Sequence, residues 1–410
     1  MVLRILGGFL LLVVLALTIA AAWFFRPWSD YSPAGYNAAG DPDRLIELSQ
    51  DMGSVFPYRT ISATAPDPLT RNLQTFDIAY EWDGETRSLD RYLTESTSLG
   101  LIVLHRGEMV FETYRNGAGP QSPLTTWSVG KSFVASLIAI ALQEGRIESL
   151  DQLLEDFVPE FAGSDYGNTS IRHLLMMSSG IDFVEDYSAE DSDIRRLFFN
   201  AFIFERNIDE MIMEFERDTP AGTELDYISS NTQALAAVVR AIYGQPLAQI
   251  VQDKIWTPLQ MEGDANWSQN VPGEDGIAVG YCCLNAQLAD FARFGQWYLQ
   301  DGVWEGERLL PEGWVQQATR PNAPFQEPGP DAIYAPRGYG LHFWIPDNPQ
   351  GEYYAAGIYG QYIWVDERRE VVIARFAADP VWGGRTEETY AAFRAIAEAV
   401  SPLGETSNDQ

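Results

Sequence analysis

Apolar and polar residues change rhythm several times along this 410-residue chain. From Ile5 to Phe25 the sequence is an unbroken apolar run, and about 20 such residues span a bilayer as a helix. Residues 27–95 are rich in Pro, Asp, Thr and Tyr and keep no clean period; they read as a linker running into an extended arm. At 98 the pattern sharpens. "SLGLIVLHRGEMVFETYR" is two β-branched and apolar runs split by "RGE", which predicts a hairpin. "SVGKSFVASLIAIALQEGRI" carries apolar residues at helical spacing and closes at Gly145. "SIRHLLMMSSGI" reads as a short helix stopped by Gly180, and "SNTQALAAVVRAIYG" as a longer one closed by Gly244. "NAQLADFARFGQWYLQDG" adds a further helix. Three strand-like runs follow, "EYYAAG", "QYIWVDE" and "EVVIARFA", and "TEETYAAFRAIAEAVS" predicts an amphipathic terminal helix.

Strands thus sit at both ends with a helical region between them. The expected class is α+β: one antiparallel sheet built from both ends, flanked by helices, with a helical lobe inserted in the middle. The expected division is a membrane anchor or signal segment at 1–26, a linker and arm at 27–95, one catalytic-sized domain at 96–400 and a tail at 401–410. The apolar start has two readings. Ala20-Ala21-Ala22 fits a signal-peptidase site, whereas the continuation through Trp23-Phe24-Phe25 favours an uncleaved anchor with the bulk of the chain on the outer face.

Charge removes some partners. Fifty-eight acidic against 27 basic residues give a net charge of -31. Such a surface repels nucleic acid and anionic lipid, so neither is expected as an electrostatic partner. The two cysteines, Cys282 and Cys283, are adjacent; neighbours rarely bridge, so both are expected as reduced, buried small hydrophobes. The histidines at 105, 173 and 342 form no cluster with cysteines, no G-x-S-x-G elbow is present, and no metal or cofactor is expected.

Candidate chemistry begins at "WSVGKSFVAS". Only two lysines occur in the chain, Lys131 and Lys254, and Lys131 follows Ser128 by three positions. On a helix that spacing places both side chains on one face. A serine hydroxyl needs a base to become a nucleophile, and a lysine whose pKa is lowered by burial is such a base. The surrounding Phe133, Val134, Leu137 and Ile138 leave Lys131 no solvated surface. Tyr227 precedes the alanine-rich helix and is placed to shuttle a proton; Ser229 points the same way two residues on. Gly357 and Gly360 flank a turn into an apolar strand, where a ligand can approach the backbone and an N–H group can complete an oxyanion hole with that of Ser128.

In order and spacing these segments resemble the serine β-lactamase and penicillin-recognising superfamily, within it the class C-like branch that holds esterases and 6-aminohexanoate-dimer hydrolases. The resemblance covers about residues 95 to 400 through "TTWSVGKSFVASL", "SIRHLLMMSSGIDFVEDY", "DTPAGTELDYISSNTQAL", "KIWTPLQMEGDANW" and "AAGIYGQYIWVD". It implies a β-lactamase/transpeptidase-like fold, Ser128 as acylated nucleophile, Lys131 as base, Tyr227 as proton donor to the leaving group, and the Ser128 and Ile358 amides as oxyanion donors. It implies a substrate contact at Tyr187. Two departures stand out: Tyr-x-Asn is replaced by Tyr227-Ile228-Ser229, and the cation before the final glycine by Ala355 in Ala355-Ala356-Gly357. Without that cation a lactam carboxylate loses a partner. The implied activity is cleavage of a small-molecule amide or ester through a Ser-Lys-Tyr acyl-enzyme. The alternatives are a cell-wall DD-peptidase or D-aminopeptidase, or a membrane-tethered sensor without turnover.

Overall fold

The computed structural model describes residues 2–39, 41–189 and 191–403. Seven antiparallel strands form the main sheet: β1 (Ser98–His105), β2 (Glu108–Tyr114), β3 (Gly338–Tyr339), β4 (Trp344–Ile345), β5 (Glu352–Gly357), β6 (Gln361–Asp366) and β7 (Val371–Ala377), in the order β3-β4-β5-β6-β7-β1-β2. Both ends of the chain meet at the β7–β1 pair, where Ile373 stands opposite Val103. The β1–β2 turn is Arg106-Gly107, both left-handed, as a tight hairpin requires.

The central strands are buried on both faces, so they read as apolar throughout. Ile102, Leu104, Val372, Ala374, Ile363 and Val365 face one core with helices α3 (Gly130–Gln143), α6 (Ser229–Tyr243) and α7 (Leu288–Leu299). Leu101, Val103, Ile373 and Trp364 face the other, closed by the terminal helix α8 (Thr386–Val400) through Phe393 and Ile396. Between β2 and β3 lies the helical lobe, which includes α4 (Ile171–Leu175) and α5 (Asp193–Ile203). The predicted helix over 171–180 stops earlier, because Met177 turns left-handed before Gly180 is reached.

Residues 27–95 are more structured than their composition predicts. α2 (Pro33–Ala39) packs Tyr36 against Phe56 and Phe198. Tyr58–Ile61 pairs with Ala265–Ser268 in a small second sheet, and Leu89–Glu95 is a helix capped by the Ser88 hydroxyl. These pieces run four to seven residues, too short to show a period.

α1 (Val2–Phe25) stands out from the body, its side chains from Ile5 onward largely exposed, and is long and apolar enough to cross a membrane. At its base Trp23 stacks on Phe204 and Arg26 pairs with Glu205. Of the expected tail, residues 404–410 lie outside the described residues.

Candidate active site

Ser128 sits in a single helical turn (Trp127–Val129) that runs straight into α3. Trp127 before it holds a left-handed backbone, an uncommon and costly state for a large residue, and Tyr359 across the site does the same. Their rings meet edge to face at 5.5 Å. The next turn of α3 brings Lys131 back beneath Ser128. Its Nζ lies 2.9 Å from Ser128 Oγ, 3.0 Å from Ser229 Oγ and 3.1 Å from the Tyr281 carbonyl oxygen. Lys131 is 1% exposed. Burial pushes its pKa down to about 8, against a smaller opposing pull from Glu185.

Tyr227 and Ser229 come from the start of α6, where the chain turns from extended Ile228 into helix. The Lys131 ammonium is 5.0 Å from the Tyr227 ring centroid. Tyr227 and Tyr187 line the cavity together with Ser128, and burial holds both phenols neutral, far above their ordinary range. The residues read from the sequence therefore converge: Ser128, Lys131, Tyr227, Ser229 and Tyr187 surround one point.

Gly357 and Ile358 complete it from β5. A Cβ on Gly357 would lie 2.5 Å from the Thr126 carbonyl oxygen and 3.0 Å from the Ser128 amide nitrogen, so only glycine lets the strand end meet the turn that carries Ser128. Ile358 follows and lines the cavity on both sides of Ser128. Its amide makes no backbone hydrogen bond among the described residues, and that of Ser128 lies in a first helical turn. Ala355 points into the core at 1% exposure, while Ala356 faces the cavity.

Three features escaped the sequence reading. The first is Glu185, two residues before Tyr187. It accepts from the Ser229 amide (2.9 Å), the Ser229 hydroxyl (2.6 Å) and the Tyr187 hydroxyl (2.5 Å). An acid in an irregular loop carries no signal until its partner, 44 positions on, is placed beside it. The second is Tyr36 and Asn37, which bring the N-terminal arm into the cavity wall. The third corrects an expectation. Cys282 and Cys283 are buried as expected, but they are joined as a disulfide. Cys283 adopts φ 73°, a left-handed turn that breaks the extended path and lets neighbouring sulfurs meet. Cys282 lines the cavity beside Ser128, directly after Tyr281.

The profile of the beta-lactamase family matches residues 88–397. The chain belongs to the beta-lactamase family. Within it, the chain is 29% identical over 368 residues to a 6-aminohexanoate-dimer hydrolase of Paenarthrobacter ureafaciens, covering 85% of this chain and 91% of that one. It is 28% identical over 237 residues to penicillin-binding protein 4 of Amycolatopsis lactamdurans, covering 51% and 58%. It shares its fold, at TM-score 0.78 and 24% identity, with a Bacillus anthracis protein assigned as a 6-aminohexanoate-dimer hydrolase, over 88% of this chain and 95% of that one. This beta-lactamase-family member is a serine hydrolase of amidase or esterase type. Among the described residues no group of three or more His, Cys, Asp or Glu is arranged to hold a metal ion.

Proposed function

We propose that the protein cleaves a small amide or ester through an acyl-enzyme on Ser128, with residues 96–400 as the catalytic domain. The observation that carries this is the buried Lys131 amine, 2.9 Å from Ser128 Oγ. With a pKa near 8 a useful fraction is neutral at physiological pH and accepts the Ser128 proton. Ser128 Oγ bonds to the substrate carbonyl carbon, and the Ser128 and Ile358 amides hold the oxyanion. The C–N or C–O bond then breaks, and Tyr227 passes a proton to the leaving amine or alcohol. Water releases the acyl group by the reverse route. Amide cleavage is favoured by the relationship to the 6-aminohexanoate-dimer hydrolase.

α1 is read as an anchor, with the catalytic domain on the outer face. A fluorescent phosphonate, followed by p-nitrophenyl esters and short ω-amino amides, tests the chemistry. Labelling of the intact protein that disappears in Ser128→Ala, with hydrolysis reduced at least about a thousandfold, is the expected result. Equal labelling of Ser128→Ala would sink it.

A further inference from the structure

The cavity around Ser128 has two parts. The larger, about 610 Å³, is walled by Tyr36, Trp127, Phe198 and Phe199, and its size is that of a small-molecule pocket. The smaller, about 240 Å³, is lined by Tyr227, Trp344 and Ala356. Tyr227, the proposed proton donor to the leaving group, lines only the smaller part. The leaving group therefore sits there, and the acyl group occupies the larger, aromatic part.

That part opens beside the membrane helix. α5 turns Leu197 and Phe202 into the core and Phe199 outward. Beyond α1, Phe199 and Phe204 are the exposed phenylalanines among the described residues. They adjoin each other, with ring centroids 5.6 Å apart, and Phe204 stacks on Trp23 at 5.8 Å. Phe199 meets Tyr36 at 5.9 Å, Tyr36 meets Phe198 at 6.3 Å, and Phe198 meets Trp127 at 6.5 Å. A row of rings thus runs from the last turn of α1 to the residue before Ser128. Trp23 lies within the apolar span, and Phe25 and Trp28 close to it are exposed. Tryptophan gathers at the level where a spanning helix leaves the hydrocarbon. With α1 in a bilayer, a side chain stacked on Trp23 stands at that level, so Phe204 and Phe199 beside it face lipid. Single exposed apolar residues are ordinary; a contiguous patch joined to a membrane span marks an interaction surface.

We propose that Phe199 and Phe204 dock on the bilayer and that the larger part of the cavity takes a long acyl chain directly from it, so that the substrates are N-acyl amides or acyl esters resident in the membrane. This rests on the hydrolase reading above and on α1 as the anchor. Ser128 Oγ bonds to the acyl carbon, the amine or alcohol leaves with a proton, and water then releases the free fatty acid. The contact is apolar, so the net charge of -31 does not oppose it on zwitterionic lipid. Two phenylalanines are too little to hold the protein on a bilayer without α1; they fix how the cavity faces it.

The test uses the full chain in phosphatidylcholine vesicles, with p-nitrophenyl esters from acetate to octanoate. kcat/KM is expected to rise roughly 2- to 4-fold per added methylene until the cavity is full. Partitioning into the vesicles also favours the longer esters, so Phe199→Ser is measured beside the unmodified protein. Partitioning is common to both, and the variant is expected to show the shallower rise. A flat or falling series in the unmodified protein overturns the proposal, and so do equal slopes in the two proteins. The docking face is read separately. Cys282 and Cys283 are bonded to each other, so bimane attaches only to the new thiol in Phe204→Cys. Its fluorescence is expected to be lost to lipid spin-labelled just below the headgroup, and fluorescence that persists overturns the docking. A p-nitrophenyl acetate burst separates the two readings: a burst with a flat series removes the acyl-chain site and keeps the hydrolase, and no burst removes both.

Discussion

At the scale of residues, the proposed role of Lys131 as base makes activity depend on pH through Lys131 and Glu185. Lys131 accepts a proton only when neutral, so kcat/KM is expected to rise with pH through about 8, as the amine loses its proton. Glu185 raises the Lys131 pKa by its charge, and burial outweighs it. Removing that charge in Glu185→Gln leaves burial unopposed, so the acid limb is expected to move to lower pH. A limb that stays in place or moves up would show that Glu185 does not act on Lys131. Lys131→Ala is expected to lose about 10²–10⁴-fold in acylation rate, measured with a p-nitrophenyl ester. Ser128 and Lys131 were legible because their relation is local, three positions on one helix. Glu185 was not, since it gains meaning only from residues placed by tertiary folding.

At the scale of elements, the close approach of β5 to the nucleophile turn has a mechanical consequence. Gly357→Ala places a methyl 2.5 Å from the Thr126 carbonyl, so strand and turn must part. A displacement of about 1 Å at a reacting centre costs on the order of a hundredfold in rate, and such overpacking about 1–3 kcal/mol in stability. Burst kinetics and thermal unfolding of that variant measure both. His342 ties the helices behind the site. Its Nδ1 is 2.9 Å from the carbonyl of Leu175, the last residue of α4, its Nε2 is 2.9 Å from Thr232 Oγ1 in α6, and its own carbonyl accepts from Ser132 in α3. Burial lowers its pKa to about 3, so the folded ring stays neutral while an unfolded histidine gains a proton below about 6.5. The stability it contributes is therefore full above that value and lost as pH falls towards 3. Going from pH 7 to 5 removes about 2 kcal/mol through this group. Denaturant unfolding at both values should show that share of the difference vanish in His342→Gln. The long strands and helices were readable from their periods. The four-stranded second sheet was not, because its strands are two to four residues long and pair across distant parts of the chain.

At the scale of the whole molecule, the N-terminal arm is part of the active-site wall and α1 is only attached to it. Arg26–Glu205 is a partly exposed pair, worth about 0–1 kcal/mol. Removal of residues 1–26 is expected to leave the unfolding midpoint within a few degrees and to shift hydrolysis from the membrane pellet to the soluble fraction. Activity that stays in the pellet would reject α1 as the anchor. The order of the motifs predicted the fold, because both strand-rich ends had to meet in one sheet. The contribution of Tyr36 and Asn37 could not be foreseen, since nothing in residues 27–95 marks which of them turns inward.

The three oxygen neighbours of Lys131 decide where its electron pair points. Tyr281 offers a carbonyl, which can only accept. Ser229 has already given its own hydrogen to Glu185, so towards the amine it too can only accept. A neutral amine has two hydrogens and one lone pair. With both hydrogens taken by these two oxygens, the lone pair is left facing Ser128 Oγ. Loss of one proton thus turns the same contact round, from a lysine that donates to the serine into one that receives from it, with no side chain changing place.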